Sequence, residues 1–571
     1  MNKTLASPPT APKEHKAFWK DVSRFALGLI ALFLFNLLAQ NYFFRLDLTE
    51  EKRYTINEAT KEMLRNLDER LVVTIYLEGD INPSFRRLQK SIEETLVEFE
   101  VYAGAELDYR FENPLEGLDR QQQQEMMVKL NDLGIEPTRV FDEEGANRQQ
   151  KLIFPGALIS QGTQQAGVML LSGDRAAGAE EALNQSIENV EYQLASGIRK
   201  LVAAEKKSVG LVQGHGELAG AEIASLAETL AEYYEMYDVF LPGLDSIPDL
   251  DVLLVNKPTE AFSKADQYKL DQYIMRGGKV MFFLDALRIE MDSLGADGSI
   301  AFPYDLGLDE LLFRYGVRIN NTLVQDIKSG VYPIVVGEIG GQPQIRPLQW
   351  PFFPIANRYG NHPTVKNMDA VYFRFVSEID TVQAAGVVKT PLVYSSEYSR
   401  VLQTPMIVDL NELRTAPQPE NFRAGPQALA YLLEGNFTSV FRNRVLPEMA
   451  SPNSFREQSE DTKLVVVADG DFVKNDVNPQ TGQPIPLGYD PITERTFANQ
   501  DLVINLLSYL TDEDGLINAR AKEIQIRPLD QVQVKQQAIM WQVLNLAGPV
   551  LLIMLFGVVK YYLRKRKYAS N

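Results

Sequence analysis

Two long apolar segments, one near each end of the chain, are the clearest feature of its hydrophobic pattern. They cover residues 25–44 (FALGLIALFLFNLLAQNYFF) and residues 539–563 (IMWQVLNLAGPVLLIMLFGVVKYYL). A helix needs about 20 mostly apolar residues to cross a bilayer, and each segment has that length. Neither contains Asp or Glu, and Lys560 lies near an end from which its ammonium can reach the headgroups. The pattern therefore predicts two transmembrane helices.

Basic residues at both chain ends predict the orientation of these helices. Residues 1–24 carry five Lys or Arg against two acidic residues, and residues 560–571 carry five against none. Because positively charged flanks stay on the cytoplasmic side, we expect both tails, 1–24 and 564–571, in the cytoplasm. We predict a two-pass protein of a bacterial inner membrane with a large periplasmic domain. A cleaved signal peptide is the alternative for the first segment. The segment is longer than the apolar part of a usual signal peptide, and no clear small-residue cleavage site ends it.

The first part of the region between the helices alternates strand and helix patterns. Residues 71–77 (LVVTIYL) are continuously apolar and β-branched, which predicts a buried strand. Residues 84–102 place apolar side chains three and four positions apart, which predicts an amphipathic helix. The further predicted elements are a strand at 107–111, a helix at 121–133, a hairpin of 153–160 with 167–171, and a helix at 182–202. This order is compatible with a thioredoxin-like ectodomain over residues 45–203, although no CxxC motif is present.

The second part, residues 204–530, alternates strands with helices again. Such alternation predicts crossover connections and therefore a mostly parallel α/β sheet. The predicted strands are 208–212, 251–255, 279–284 and 464–468, and the predicted helices are 221–234, 264–275 and 499–510. A segment of about 329–453, rich in Pro and aromatic residues, interrupts the alternation. We interpret it as a large insertion with some β-structure.

Charge and composition then exclude several classes of protein. Between the two tails, 47 basic residues face 74 acidic ones, a balance that disfavours nucleic acid and anionic lipid as partners. The chain has no Cys and three His. Thiol chemistry and Cys-ligated metals are therefore excluded, and a multi-histidine metal site is not expected. We predict no cofactor and no metal.

Several motifs, taken in order, resemble one family. DLTEEKRY at residues 47–54, GHGE at 214–217, DQYIMRGGKVMFFLD at 271–285, VVVADGDFV at 465–473 and NQDLVINLLSYL at 499–510 are similar to the gliding-motility-associated ABC transporter auxiliary family (the G component). The resemblance runs from about residue 45 to the second apolar segment. It implies a thioredoxin-like part followed by a domain similar to class I glutamine amidotransferases, which are flavodoxin-like. It also implies a complex with a multi-span permease and a cytoplasmic ATPase, and a link to gliding motility in some bacteria.

The GHGE motif, Gly214, His215, Gly216 and Glu217, is the first candidate ligand-binding site. It follows a predicted strand and precedes a predicted helix, where glycines and free amides can receive an anion. A tight turn with glycines at positive φ and a polar cap is the alternative that we favour. An amidotransferase-like sheet usually carries a nucleophilic Cys, and since this chain has none, glutaminase chemistry of that type is excluded. We predict no catalytic residue and no enzymatic activity.

Acidic residues at strand ends form the second candidate site. Asp285, Asp469 and Asp471 follow predicted parallel strands, at the edge where α/β sheets bind ligands. Their carboxylates could hold a hard cation. Capping and turn formation is the alternative that we favour, because Asp is common at such positions.

Polar residues inside the first apolar segment point to a membrane partner. Asn36 and Gln40 lie in the predicted helix, and amides in a membrane usually face another helix. The sequence contains no G-x-x-x-x-G-K-[ST] motif, so any ATP hydrolysis belongs to another subunit. We therefore predict a non-catalytic accessory, substrate-binding-like subunit of an ABC-type transport complex. The alternative is a stand-alone envelope scaffold or ligand-binding protein with an inherited enzyme-like fold.

Overall fold

The computed structural model of the chain describes residues 14–41, 55–79, 81–142, 149–173, 179–202, 206–289, 291, 294, 298–339, 342–447, 454–512, 515–521 and 531–568. For some of these residues, Gln40 among them, only the backbone is described. The chain divides into two units, Met1–Thr55 and Ile56–Asn571. Residues 1–13, the motif at 47–54 and residues 569–571 lie outside the described residues, as do residues 42–44 of the first apolar segment.

The described part of the chain contains ten α-helices. They are α1 (Glu14–Asn41), α2 (Glu58–Arg65), α3 (Pro83–Tyr102), α4 (Arg120–Asp132), α5 (Ala179–Val202), α6 (Ala224–Tyr233), α7 (Lys264–Met275), α8 (Asp309–Tyr315), α9 (Asn499–Thr511) and α10 (Gln531–Tyr568). The described strands in the first part of the chain are β1 (Leu71–Ile75), β2 (Leu107–Phe111), β3 (Thr138–Asp142), β4 (Gln149–Ile153), β5 (Gly156–Gln161) and β6 (Gln164–Met169).

The strands of the second part begin after α5. They are β7 (Ser208–Gln213), β8 (Glu235–Phe240), β9 (Val252–Asn256), β10 (Lys279–Phe283), β11 (Leu287–Arg288), β12 (Ser299–Pro303), β13 (Val317–Ile319), β14 (Thr322–Asp326), β15 (Ser329–Ile339), β16 (Gln342–Ala356), β17 (Arg358–Tyr359), β18 (Val371–Tyr372), β19 (Ile379–Thr381), β20 (Val387–Tyr394), β21 (Ser399–Gln403), β22 (Met406–Val408), β23 (Ala428–Thr438), β24 (Gln458–Val467), β25 (Tyr489–Asp490) and β26 (Arg495–Thr496).

A four-stranded sheet of order β2-β1-β5-β6 forms the first layer. β1 is parallel to β2 and antiparallel to β5, and β5 is antiparallel to β6. α3 packs against α5, which also contacts β6. The predicted apolar stripe of α3 is buried in the core of this layer, at Leu88, Ile92, Leu96 and Phe99. The sheet therefore exists because β1 and α3 each bury an apolar face that water would otherwise contact.

An eight-stranded mixed sheet forms the second layer, in the order β17-β20-β23-β24-β10-β9-β7-β8. The five strands from β24 to β8 are parallel to their neighbours, and β17, β20 and β23 continue the sheet antiparallel. β9 and most of β10 are completely buried, as their continuous apolar sequences predict. The largest apolar core of the chain surrounds these strands.

The mixed character of this sheet departs from the sequence prediction. A mostly parallel sheet was expected, with residues 329–453 as an insertion. Instead, β17, β20 and β23 of that segment pair with the sheet and extend it. The physical reason is burial: Leu392, Val393, Leu432 and Leu433 are fully buried in the same core as the parallel strands. β15 and β16 of the same segment form a long hairpin that belongs to a separate sheet.

One helix among the described residues is long and apolar enough to cross a membrane. It covers Gln537–Arg566 of α10, and none of its most apolar stretch is buried against the rest of the protein. In the first unit, α1 contains a shorter apolar stretch, Val22–Leu34. The predicted C-terminal membrane helix is thus supported as a possible anchor, whereas the predicted span at 25–44 stays a prediction.

Candidate functional site

Polar residues gather at the carboxyl edge of the parallel strands in the main sheet. β7 leads into Gly214 and His215, β9 into Lys257, β10 into Asp285 and β24 into Asp469. β8 and β9 lie on opposite sides of β7, so the winding direction of the chain reverses there. Open α/β sheets bind their ligands outside the carboxyl ends of strands at such a reversal. The described residues form two polar clusters along this edge.

The GHGE motif forms the turn at the end of β7. Gly214 and Gly216 have φ angles of 117° and 72°, which glycine adopts without strain. A Cβ atom on Gly216 would lie 2.1 Å from Thr259 Oγ1. The Glu217 carboxylate accepts a 2.6 Å hydrogen bond from the His215 backbone N–H and so caps the turn. These features match the turn that we favoured over an anion site.

The His215 ring lies between two carboxylates. Its Nδ1 is 3.4 Å from Glu217 Oε1, and its Nε2 is 3.3 Å from Asp266 Oδ2. The ring also stacks on Phe262, with centroids 3.7 Å apart. Burial lowers the pKa of His215, but Glu217 and then Asp266 raise it more, so the pKa lies above its usual value. The 3.4 Å approach does not meet hydrogen-bond geometry, so we treat the Glu217 contact as a charge interaction.

Asp266 and Lys269, which the sequence analysis did not select, complete this cluster. Asp266 accepts hydrogen bonds from Ser263 Oγ (2.6 Å) and Lys269 Nζ (2.8 Å). Burial raises the pKa of Asp266, but these bonds, led by that from Lys269, lower it below its ordinary value. Ser263 is also the N-cap of α7. The i, i+3 spacing of Asp266 and Lys269 on a predicted helix is the signal that could have identified the pair.

The three aspartates that the sequence analysis selected as candidate ligands lie close together and form the second cluster. One carboxylate oxygen each from Asp285, Asp469 and Asp471 lies within 4.8 Å of the others. Lys257, which the sequence analysis missed, places its Nζ 3.0 Å from Asp285 Oδ2 and 2.5 Å from Asp471 Oδ1. Asp285 also accepts a 2.6 Å hydrogen bond from the Gly470 N–H. Turn formation and ion pairing thus occur together at this site.

Burial controls the electrostatics of the second cluster. It raises the pKa of Asp469 well above its usual range, and the neighbouring carboxylates Asp285 and Asp471 raise it further. Burial also raises the pKa of Asp285, while Lys257 opposes that rise. For Lys257, burial lowers the pKa, but the charges of Asp285 and Asp471 outweigh it and hold the ammonium form. No local pattern marks Lys257, a single Lys after a buried strand.

A small, solvent-open pocket adjoins the second cluster. Its lining includes Asp471, Arg374, Asp476 and Tyr372. Arg374 makes a two-pronged salt bridge with Asp476, at 2.9 and 2.7 Å, and its guanidinium lies over the Tyr372 ring. The backbone N–H of Arg374 donates a 2.7 Å hydrogen bond to Asp469. The pocket and the buried carboxylates are therefore connected through Arg374 and Asp471.

A known family matches the part of the chain that forms the main sheet and its polar carboxyl edge. A family described as an ABC-type uncharacterized transport system, of the auxiliary kind, matches residues 206–506, which is more than half of the chain. The chain belongs to this auxiliary family. A second family, described as a domain of unknown function (DUF7088), matches residues 50–160. The auxiliary-family match covers both polar clusters and the main sheet.

Two further similarities concern individual proteins. An uncharacterized protein of Borreliella burgdorferi is 22% identical over 568 residues, covering 96% of this chain and 98% of that protein. Among solved structures, the mmIFT52 N-terminal domain aligns over 54% of this chain and 99% of that domain, with 12% identity and a TM-score of 0.30. At that TM-score the structural similarity carries no argument about fold or function.

The chemistry that this auxiliary-family member can perform follows from its side chains. His215 and Lys257 are both paired with carboxylates of the same chain. The oxygen ligands of Asp285, Asp469 and Asp471 are the described groups that suit a hard metal ion. In the first unit, Asn36 is exposed on α1, and the side chain of Gln40 lies outside the described residues, so the predicted partner contact stays a prediction.

Proposed function

We propose that this auxiliary component of an ABC-type transport system is a non-catalytic, membrane-anchored subunit that presents its α/β domain outside the cytoplasm. Its permease and ATPase partners are separate chains. Membership of the auxiliary family and the apolar helix of α10 support the proposal. The absence of a P-loop motif from the sequence is consistent with an ATPase on another chain.

The observation that carries the non-catalytic role is the internal pairing of charges at the sheet edge. Lys257 lies between Asp285 and Asp471, and His215 lies between Glu217 and Asp266. In a catalytic α/β domain, a nucleophile or base at this edge must reach the substrate. Here the cationic groups are already bound by carboxylates of the same chain. This arrangement suits a domain that binds or positions a partner.

Two specific folds are part of the proposal. The strand order β2-β1-β5-β6, with its parallel β1–β2 pair, supports a thioredoxin-like first layer. The order β8-β7-β9-β10-β24 of the parallel strands supports a flavodoxin-like second layer, as in class I glutamine amidotransferases. Since the sequence has no Cys, the second layer would keep the fold without the glutaminase nucleophile.

The membrane arrangement is the second part of the proposal. α1 serves as a second anchor in addition to α10, both tails are cytoplasmic, and the domain between them is periplasmic in a bacterial inner membrane. The basic residues at both chain ends support this orientation. In bacteria that glide, we also propose a role in gliding motility. This proposal rests only on the resemblance of the sequence motifs to the gliding-motility-associated family.

Co-purification from native membranes tests the proposal. We expect a permease and an ATPase to be recovered with the full-length chain, and we expect Asn36→Leu with Gln40→Leu to weaken that recovery. Each interhelical polar contact contributes about 0.6–2 kcal/mol, so losing both should reduce recovery without preventing membrane insertion. Leu27→Ala with Leu34→Ala, two exposed apolar positions of α1, is the matched control.

Three results would contradict all or part of the proposal. Recovery of neither a permease nor an ATPase would favour a stand-alone envelope scaffold or ligand-binding protein. A glutaminase or peptidase activity of the purified chain that His215→Ala abolishes would show that the polar edge is catalytic. Full recovery of both partners by the Asn36 and Gln40 variant would place the contact in the domain between the helices.

A further inference from the structure

The second polar cluster contains more negative charge than its lysine balances. Asp285, Asp469 and Asp471 offer three carboxylates within 4.8 Å, and Lys257 supplies one ammonium. Arg374 does not change this balance, because Asp476 binds it with two hydrogen bonds. With all three carboxylates ionised, the cluster therefore has an excess of two negative charges in a buried position, which is costly without a counter-charge.

An unused buried oxygen gives an independent observation. The Asp469 side chain is completely buried, and its Oδ1 has no hydrogen-bond partner among the described residues. Its Oδ2 is occupied by the Arg374 N–H at 2.7 Å. A buried carboxylate oxygen without a partner loses its hydration and gains nothing in return. Such an atom indicates that a proton or a cation completes the site.

We propose that this cluster is a binding site for a hard divalent cation, Ca²⁺ or Mg²⁺, held by Asp285, Asp469 and Asp471 beside the Lys257 ammonium. The proposal is independent of the transport role. Two oxygens bound to one Ca²⁺ at its usual 2.3–2.6 Å lie at most about 5 Å apart. One carboxylate oxygen from each Asp lies within 4.8 Å of the other two, so the spacing of the ligand oxygens fits Ca²⁺. The ligands are all oxygens, which favours these cations over metals that prefer nitrogen or sulfur.

Charge balance explains how Lys257 and the cation share the site. The cation would share the carboxylates of Asp285 and Asp471 with Lys257, which contacts one oxygen of each, and it would take the unpartnered Oδ1 of Asp469. Two positive charges from the cation and one from Lys257 neutralise the three carboxylates.

The adjoining pocket supplies a route to solvent. Asp471 belongs both to the cluster and to the pocket lining, and its side chain is 16% exposed. A cation entering the pocket therefore meets Asp471 first and the buried Asp469 last. Lys474, also in the lining, is paired with Glu222 at 2.7 Å and so does not repel an entering cation with a free charge.

Titration calorimetry on the full-length chain in detergent, freed of metal with EDTA and dialysed, tests the proposal. Ca²⁺ and Mg²⁺ are titrated separately. We expect one cation per chain for at least one of the two metals. In thermal unfolding, the metal-bound chain should have a higher Tm than the metal-free chain.

Variants separate this site from other acidic groups. Asp469→Asn keeps the side-chain shape and should weaken cation binding about tenfold or more. Asp471→Asn, at the more exposed member of the cluster, gives the same test if Asp469→Asn does not fold. Asp490→Asn removes a carboxylate that lines the same pocket but lies outside the cluster. This control variant should bind the cation as tightly as the unchanged chain does. No binding of either metal at millimolar concentration, or equal binding by all three variants, would overturn the proposal.

Discussion

Replacing Lys257 by Met tests whether the sheet edge depends on its internal ion pairs. Met has a similar length and an apolar stem, so the change removes the ammonium and little else. Lys257 Nζ lies 3.0 Å from Asp285 Oδ2 and 2.5 Å from Asp471 Oδ1, and 18% of its side chain is exposed. The substitution therefore leaves Asp285 and Asp471 close together without their shared counter-charge.

The expected loss of stability follows from the burial of these groups. Breaking a buried ion pair by removing one partner costs about 3–5 kcal/mol. The three side chains are between 11% and 18% exposed, so solvent screens part of the interaction, and we expect a loss of about 3 kcal/mol at pH 8. Protonation of the carboxylates can relieve the repulsion, since burial raises the pKa of Asp285 and of Asp469.

The pH dependence of this loss has a definite sign. Without Lys257, the folded carboxylates bind protons more tightly than they do in the unfolded chain. The folded state then holds more protons, so the free energy of unfolding of the variant falls as pH rises. The loss of stability should therefore be smaller at pH 5 than at pH 8.

Urea unfolding of the full-length chain in detergent with EDTA measures both effects. The fluorescence of Trp350, which is completely buried, reports on the second unit. Lys264→Met is the control, because Lys264 is 67% exposed and lies 3.9 Å from Glu310, and its loss should cost less than about 1 kcal/mol. If Lys257→Met is as stable as the control at pH 8, or loses more stability at pH 5, the counter-ion reasoning is wrong.

Two further predictions concern the GHGE turn, and both are measured by the same unfolding assay. Gly216→Ala should cost about 2–3 kcal/mol, because φ is 72° and the new Cβ would lie 2.1 Å from Thr259 Oγ1. Gly220→Ala, at φ 57° but with open space around the Cβ, should cost only about 1 kcal/mol; equal losses would contradict the close-contact argument. The stabilisation from His215, whose folded pKa is raised, should be fully present below about pH 6.5 and lost as pH rises through the folded pKa. His215→Gln should remove this dependence, and an unchanged pH profile would contradict it.

Local apolar patterns in the sequence were sufficient to predict many elements. The strand at 107–111 and the helix at 264–275 have the predicted limits in the structure, as β2 and α7. Asn57 caps α2 by accepting a hydrogen bond from the Ala59 N–H. Such elements are predictable because the spacing of apolar residues and a single cap residue act over one or two turns.

Elements with weak local patterns were missed. β8 is an edge strand whose side chains are mostly exposed, so it lacks a continuous apolar run. The β3–β4 hairpin pairs outside the four-stranded sheet and was also not predicted. β20 and β23 were included in an insertion, although their pairing extends the main sheet. These strands are defined by their neighbours in space more than by their own sequence.

The candidate site shows the same division between sequence and tertiary structure. The positions of Asp285, Asp469 and Asp471 at strand ends could be inferred from the sequence alone. Their meeting depends on β10 pairing with β24, which is far along the chain, and on β9 placing Lys257 beside both. Parallel neighbours are joined by long crossovers, so which strands become adjacent is decided by packing of the whole sheet. The sequence by itself determined where the acidic groups lie along the chain, and only the tertiary structure decided that a lysine would share their charge.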